Sequence, residues 1–376
     1  MRKGEHHTST LNMNRILCIR LDNMGDLIMS SPAIRALKST FQCHITVLTS
    51  SVGAAVVPSI PDIDETLVFD APWVQNNTTP VALGAFNEVV EQLRQGAYDA
   101  AVIFTVYSQN PLPAVMLAYL AGIPVRLAYC RENPYHLLTH WVPEKEPYDF
   151  IRHQVRRDLE LVAHLGATAT SDKLVLEVQE TLWPQVRNKL AECNIAPDKP
   201  WIVLHTGVSD SKRQYPMQQW IEVARALLQK TDMQLLLTGT AEERPQALRV
   251  RHGIGNQNGV CVGAGLFSLP EFITLIRHSA LVISVNTGTV HIAAATGTPV
   301  LVLYALTNPQ HTPWKVPGKV LYFDVPPQLR SKNEVIRYVY NQYHNEELPP
   351  AKPEYVVQEA ISLLRSMAPG HRYSTR

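Results

Sequence analysis

Short apolar runs alternate with amphipathic helical stretches along almost the whole chain, and this alternation limits the possible folds more than any other feature. "RILCIR" (15–20) reads as a buried strand before a helix at 26–40. "HITVLTS" (44–50) and "ETLVFD" (65–70) are strands, followed by a helix at 81–95. "YDAAVIF" (98–104), a helix at 111–121 and "VRLAY" (125–129) continue the series. Such unbroken apolar strands, each answered by a helix, build parallel sheets covered on both faces. The rhythm pauses at 131–150, rich in Pro, charge and aromatics. A helix at 152–165, "KLVLEV" (173–178) and a helix at 181–193 lead to the junction "NIAPDKP". It restarts at Trp201. Strands are expected at 201–206, 233–239, 259–263, 280–285 and 299–304. Helices are expected at 216–229, 241–251, 270–278 and 288–296, with a last one at 353–366. The fold class is therefore α/β: two doubly wound domains facing a cleft, with ligands beyond the carboxyl ends of the strands.

The chain's 376 residues suffice for two such domains. Its net charge of +1 gives no electrostatic case for nucleic acid as a partner. Cys18, Cys43, Cys130, Cys193 and Cys261 are scattered and odd in number, which fits a reducing compartment rather than a disulfide framework or a zinc site. No stretch has the length of a transmembrane helix. "MRKGEHHTSTLNMN" lacks the apolar segment of a signal peptide and reads as a disordered tail (1–13), as does the end after Arg365.

Every polar cluster of interest directly follows an expected strand. The first is Arg20, Asp22, Asn23, Gly25 and Asp26. Asp26 at a helix start is favoured by the dipole by about 0.3–1 kcal/mol; equally, an ionised carboxylate at the cleft mouth can serve as a general base. The second is "HTGVSDSKRQYP", where Thr206, Ser209 and Lys212 belong to a loop suited to an anion, although a solvated basic loop has the same composition. The third is "SVNTGTVHIAAATGTP". Asn286 or Thr287 can cap a helix, Gly288 and Thr289 form its first turn, and the free N–H groups there suit a diphosphate. His291 follows one turn in and reads as a packed histidine or as a ligand contact. In the fourth, Glu242 and Glu243 open a helix, as ordinary first-turn acids or as partners of ribose hydroxyls. "DID" at Asp62 and Asp64 reads as a polar lead-in to a strand rather than as a metal motif. No P-loop, zincin or nucleophile-elbow motif occurs, and no G-x-G-x-x-G follows the first strand.

"ILCIRLDNMGDLIMSSPAIRALK", the H-T-G…K…P…W segment, and "SVNTGTVHIAAATGTPVLVLY" followed by "TNPQHTPW" resemble glycosyltransferase family 9, the bacterial ADP-heptose:lipopolysaccharide heptosyltransferases, over roughly residues 14–365. The resemblance implies a GT-B fold of two Rossmann-like domains. The N-terminal acceptor domain would span 14–180 and the C-terminal donor domain 181–352, with a helix at 353–366 crossing back to the N-terminal domain. By the same resemblance Asp26 matches the catalytic base, and Lys212 matches a lysine on the donor phosphate. Glu242 falls near the acid on the ribose. Thr287, Gly288 and Thr289 match the diphosphate loop, and His291 matches a histidine of that helix. Thr206 and Ser209 also meet the donor. Two departures stand out. Asn286 replaces an Asp associated with the donor sugar, and Asp22 and Asn23 stand in the acceptor region beside Gly25.

The expectation is an inverting glycosyltransferase that moves a heptose from ADP-heptose to a lipopolysaccharide core-like acceptor, with no metal and no cofactor beyond the donor substrate, which could also be another nucleotide diphosphate sugar. A glycan or lipid-linked glycan is the expected acceptor, with no nucleic acid partner. The chain would be monomeric and cytoplasmic; the 131–150 loop, with Tyr135, His136, His140 and Trp141, would either shape the acceptor pocket or give peripheral contact at the inner face of the membrane. The alternatives are another donor or a small-molecule acceptor, a sugar-nucleotide epimerase, and a non-catalytic sugar-nucleotide-binding protein.

Overall fold

A computed structural model describes residues 13–74, 82–208, 213–255, 257–305, 309–343 and 350–367. The expected tails, and the start of the 81–95 helix, extend into residues outside that set. The N-terminal half comprises β1 (Arg15–Arg20), α1 (Met24–Phe41), β2 (His44–Thr49), α2 (Ser51–Ala54), β3 (Glu65–Val68), α3 (Leu83–Gln95), β4 (Ala100–Ile103), α4 (Leu112–Leu120), β5 (Val125–Cys130) and β6 (His140–Pro143). Then α5 (Gln154–Ala163) and α6 (Trp183–Glu192) connect the halves. The second half comprises β7 (Trp201–His205), α7 (Met217–Lys230), β8 (Gln234–Thr238), α8 (Arg244–Ile254), β9 (Val260–Val262), α9 (Leu269–Arg277), β10 (Leu281–Val285), α10 (Gly288–Thr296), β11 (Val300–Ala305), β12 (Gly318–Phe323), α11 (Glu334–Tyr343) and α12 (Pro353–Ser366).

Each half carries one parallel sheet of six strands, ordered β3-β2-β1-β4-β5-β6 and β12-β11-β10-β7-β8-β9. The expected doubly wound pair is thus present. In both sheets the chain winds outward from a central strand, then returns to the other side of it. The two points of reversal lie between β1 and β4 and between β7 and β10, where the strand ends diverge and leave a crevice. The central strands are buried on both faces, which is why their sequences run apolar without alternation: Ile16, Leu17, Cys18 and Ile19 are all sealed.

The helix that follows β1 contains Pro32, which cannot donate to the carbonyl of Ile28. The Ser31 hydroxyl fills that vacancy at 2.6 Å, and its oxygen accepts the backbone N–H of Val175 at 2.8 Å. The apolar 173–178 run is accordingly held along α1 and joins no sheet. Asp62 and Asp64 pair with Arg35 and Lys38 of α1, so the "DID" sequence is a structural lead-in to β3.

Four elements were not expected from the sequence: the one-turn α2, β6, β12 and α11. β6 and β12 are half-exposed edge strands, where burial on one side only weakens the apolar signal. α11 is opened by Asn333, whose Oδ1 accepts the N–H groups of Val335 at 2.9 Å and Ile336 at 3.4 Å, with Glu334 in the first turn, a helix-start signal that the sequence reading passed over. The terminal helix forms at 353–366 as expected, but its packing corrects the expected crossing. Val356, Val357, Ala360, Leu363 and Leu364 are buried in one cluster with Trp220, Val223 and Leu227 of α7 and Leu303 of β11, all in the C-terminal half. Segments that do reach across include α11, whose Tyr338 ring lies 4.9 Å from that of Tyr148, and the stretch after β11, where Trp314 donates to the Asp172 carbonyl at 2.7 Å.

Candidate functional site: a cleft between two helix starts

The end of β1 delivers Arg20 and Asp22, and the first turn of α1 delivers Asp26. All three are buried. Asp26 Oδ2 accepts the backbone N–H of Asn23 at 3.2 Å, closing a capping box. Its Oδ1 accepts a charged hydrogen bond from Arg20 Nη2 at 3.1 Å and lies 3.6 Å from Nε2 of His311. Asp22 approaches the same guanidinium, Oδ2 to Nε at 3.2 Å. Burial pushes the Asp26 carboxyl up, but Arg20, the two histidines and the Asn23 N–H outweigh it and hold it below the usual carboxylate range. Asp22 lies farther toward protonation. Burial dominates there, Arg20 opposes it only in part, and repulsion from Asp26 adds to it, raising the group to about 6. Asp158, buried on α5, accepts from Ser30 and Gln154, each at 2.7 Å, and is a third carboxylate near the one arginine.

Across the cleft, α10 starts directly opposite α1. A Cβ on Gly25 would lie 2.6 Å from His291 Cδ2 and 3.4 Å from Gly288 Cα; one on Gly288 would lie 2.5 Å from Met24 Cε. The two glycines therefore let two helix N-termini meet, which concentrates two positive dipole ends at one place. Thr287 occupies the N-cap position of α10 without a side-chain cap, its hydroxyl 3.2 Å from that of Ser284. The first N–H groups of α10 are thus not consumed by that side chain. Thr289 and His291 are buried beside them. His291 is pushed down to about 4 and His311 to about 3, chiefly by burial and against the pull of Asp26, so both are neutral at pH 7. The Nδ1 of His291 is buried without a hydrogen-bond partner.

The loops after β7, β8 and β10 form the C-terminal wall. Thr206 is buried, and its carbonyl accepts from Gln246 at 3.0 Å. Ser209 and Lys212 lie outside the described residues. The neighbouring Arg213 donates from Nη1 to the Asn286 carbonyl at 3.4 Å, tying two of the loops together, while its Nε is buried without a partner. Glu242 points away from the fold and is exposed. Glu243 is the acid that faces inward. Its carboxylate accepts the Thr240 N–H at 2.8 Å and lies where a Cβ of Gly207 or Gly239 would stand.

A cavity of about 700 Å3 opens beside this junction, lined by Asp22, Asn23, Asp26, Arg213, Asn286 and His311, among others; Thr206, Glu243, Thr287, Gly288, Thr289 and His291 are not among its lining residues. Its far wall comes from 328–336, which the sequence reading left without a role, and from Tyr107 and Gln109. Among the residues singled out in the 131–150 loop, Tyr135, His136, His140 and Trp141 do not line it. His311 stood in the quoted "TNPQHTPW", and its position after β11 was the signal that could have marked it. Among the described residues no group of three or more His, Cys, Asp or Glu is placed to hold a metal ion.

Known proteins resemble this chain in sequence and in fold. The family model for glycosyltransferase family 9 (heptosyltransferase) matches residues 87–336. The chain is 25% identical over 311 residues to lipopolysaccharide heptosyltransferase 2 of Escherichia coli strain K12, covering 80% of this chain and 85% of that one. It is 23% identical over 372 residues to the protein of the same name from Salmonella typhimurium, covering 93% and 98%. In fold it is similar to a family 9 glycosyl transferase from Veillonella parvula, with a TM-score of 0.73 at 18% identity over 95% of this chain and 99% of that one. The E. coli ADP-heptose lps heptosyltransferase II superposes with a TM-score of 0.69 at 20% identity, over 94% and 99%. The two facing sheets are the GT-B fold, and the chain belongs to glycosyltransferase family 9 and is a glycosyltransferase.

Proposed function

We propose that the protein is an inverting heptosyltransferase that uses ADP-heptose and a lipopolysaccharide core-like acceptor, without a metal ion. The observation that carries this reading is Asp26: a buried carboxylate, held ionised by Arg20, on the wall of the large cleft cavity and beside the start of α10. In this mechanism the acceptor hydroxyl gives its proton to Asp26 as its oxygen attacks the anomeric carbon. The bond from that carbon to the diphosphate oxygen breaks, and ADP leaves with the electron pair. Negative charge then grows on the diphosphate. Lys212, Arg213 and the N–H groups of Thr287, Gly288 and Thr289 stabilise it. His291, neutral at pH 7, can donate to an anion through one ring nitrogen.

Glu243 rather than Glu242 is the residue we assign to the donor ribose, because it lies over Gly207 and Gly239 at the strand ends. Asn286 meets the donor sugar with an amide that both donates and accepts. Thr206 and Ser209 complete the donor loop, and Asn23 and Gly25 border the acceptor. The acceptor is a glycan, and the work is done on the cytoplasmic side of the membrane; no described helix is long and apolar enough to cross one.

Thermal stability in ADP, UDP, GDP and dTDP tests the donor. A ligand at a hundred times its dissociation constant adds about 2.7 kcal/mol. A shift with ADP alone, followed by transfer from ADP-heptose, supports the reading. A shift with UDP or dTDP alone discards the heptose donor and directs attention to Asn286.

A further inference from the structure

Beside the main cavity lies a second one of about 220 Å3, at the point where β1 and β4 part. The two share Asp22, Trp73, Val74, Ser108 and Gln109, so the smaller is a side chamber of the larger. Asp26 lines only the larger one. Whatever enters the side chamber is therefore not the group that loses its proton. We propose that this chamber is an acceptor subsite that takes the sugar ring next to the one attacked, and so selects an acceptor of at least two rings. The inference rests on the reading of the acceptor as a glycan.

The lining has the chemistry of a sugar site. Leu21, Phe104 and Ala114 give an apolar floor, and the half-exposed Trp73 gives an aromatic wall against which the C–H face of a pyranose can lie. That indole is braced by Phe69 at 5.9 Å and Phe86 at 6.1 Å, so little side-chain entropy is left to lose on binding. The polar groups are oriented before any ligand arrives. Gln109 Oε1 accepts the Val106 N–H at 3.1 Å, and its amide nitrogen donates to Asp22 Oδ1. Asn110 Oδ1 accepts the Leu112 N–H at 2.9 Å, which leaves its NH2 as the donor. Asp22 Oδ2, 3.2 Å from Arg20 Nε, has no hydrogen-bond donor of good geometry and is nine-tenths buried with the rest of its residue. The Asn110 amide thus faces the same small chamber as the Asp22 side chain, and its free N–H groups can donate to a ring hydroxyl.

The test uses the full chain with Trp73→Ala and Asn110→Ala. Transfer kinetics are measured with a core oligosaccharide acceptor and with the same acceptor cut back to one ring. The subsite predicts that both variants raise the KM of the longer acceptor by about tenfold or more, with kcat and the donor KM within about twofold. It also predicts that the one-ring acceptor keeps its wild-type KM in Asn110→Ala, whose side chain lines only the smaller chamber. Equal losses for both acceptors, or none, overturn it. Saturation-transfer NMR, with ADP present and with the two oligosaccharides as probes, reads binding without turnover. Trp73-dependent saturation of the second ring, in a protein that fails to use ADP-heptose, retires the donor reading and keeps the subsite. Transfer without any Trp73-dependent contact does the reverse.

Discussion

Asp26 carries two roles through its two oxygens. One oxygen closes the capping box of α1 and the other faces Arg20 and His311, so the helix-start acid and the candidate base are the same group. Asp26→Asn keeps the cap geometry and removes the basic site. It is expected to lower transfer by about two to four orders of magnitude while the ADP-induced thermal shift persists; full transfer in that variant removes Asp26 from the mechanism. Asp22 behaves differently. Its folded value of about 6 lies above the usual 3.8, so the folded protein binds this proton more tightly than the unfolded one, and stability tied to Asp22 drains away as pH rises from about 4 to about 6. Asp22→Asn lacks that loss. Relative to wild type it should gain stability across this window, by at most about 1.4 kcal/mol per pH unit, read by urea unfolding at pH 4.5 and 7. A constant difference between the two proteins contradicts the assignment. Asp22, Gly25 and Asp26 were legible because they share a few residues of chain after one strand. The choice between Glu242 and Glu243 was not, because one residue of helical phase turns a carboxylate from solvent to strand ends.

At the scale of elements, the approach of α1 to α10 explains both glycines at once. Gly25→Ala places a methyl 2.6 Å from the His291 ring, which is buried and has little room to turn. The expected result is a loss of kcat of about tenfold or more, with each half still folded by circular dichroism; unchanged kcat means that the junction opens during turnover. α12 makes the opposite demonstration. Its apolar face belongs to the C-terminal core, so Leu363→Ala should cost about 2–5 kcal/mol of stability and leave acceptor KM alone in the surviving folded fraction. A helix's apolar stripe shows that it is buried, not against what; the sequence therefore revealed the existence of α12 but not its side. α11 was overlooked although Asn333 and Glu334 mark its start; what its sequence did not show was its position in the molecule. The element that completes the cleft wall is defined by what it touches, Tyr148 through Tyr338 and the Ser108 carbonyl through Asn333, and neither contact leaves a periodic trace.

At the scale of the molecule, the halves are joined by more than a linker. One apolar cluster contains Ile28 and Val102 of the first half together with Val282 and Val290 of the second. Three histidines sit near this junction. His153 receives the Val155 N–H on Nδ1 at 3.2 Å and gives its Nε2 proton to the Thr312 carbonyl at 2.8 Å, a pattern that only the neutral ring satisfies. Burial lowers it to about 4, beside His291 at about 4 and His311 at about 3. For each, the unfolded chain binds a proton below about 6.5 that the folded chain refuses until about 4 or lower. Stability therefore rises with pH through this window and is lost as pH falls through it, by up to about 1.4 kcal/mol per group and pH unit. The depressed value of Asp26 acts below that range, under its usual 3.8, so the two effects separate on the pH axis. Thermal unfolding followed from pH 7.5 to 4.5 should show a steep fall beginning near 6.5. His153→Phe, which removes one titrating ring but keeps an aromatic face against Trp314, 4.4 Å away in the parent, should show a shallower one. An equally steep fall in the variant would mean that His153 is protonated in the folded state, and that the contact between the halves does not depend on its neutral form.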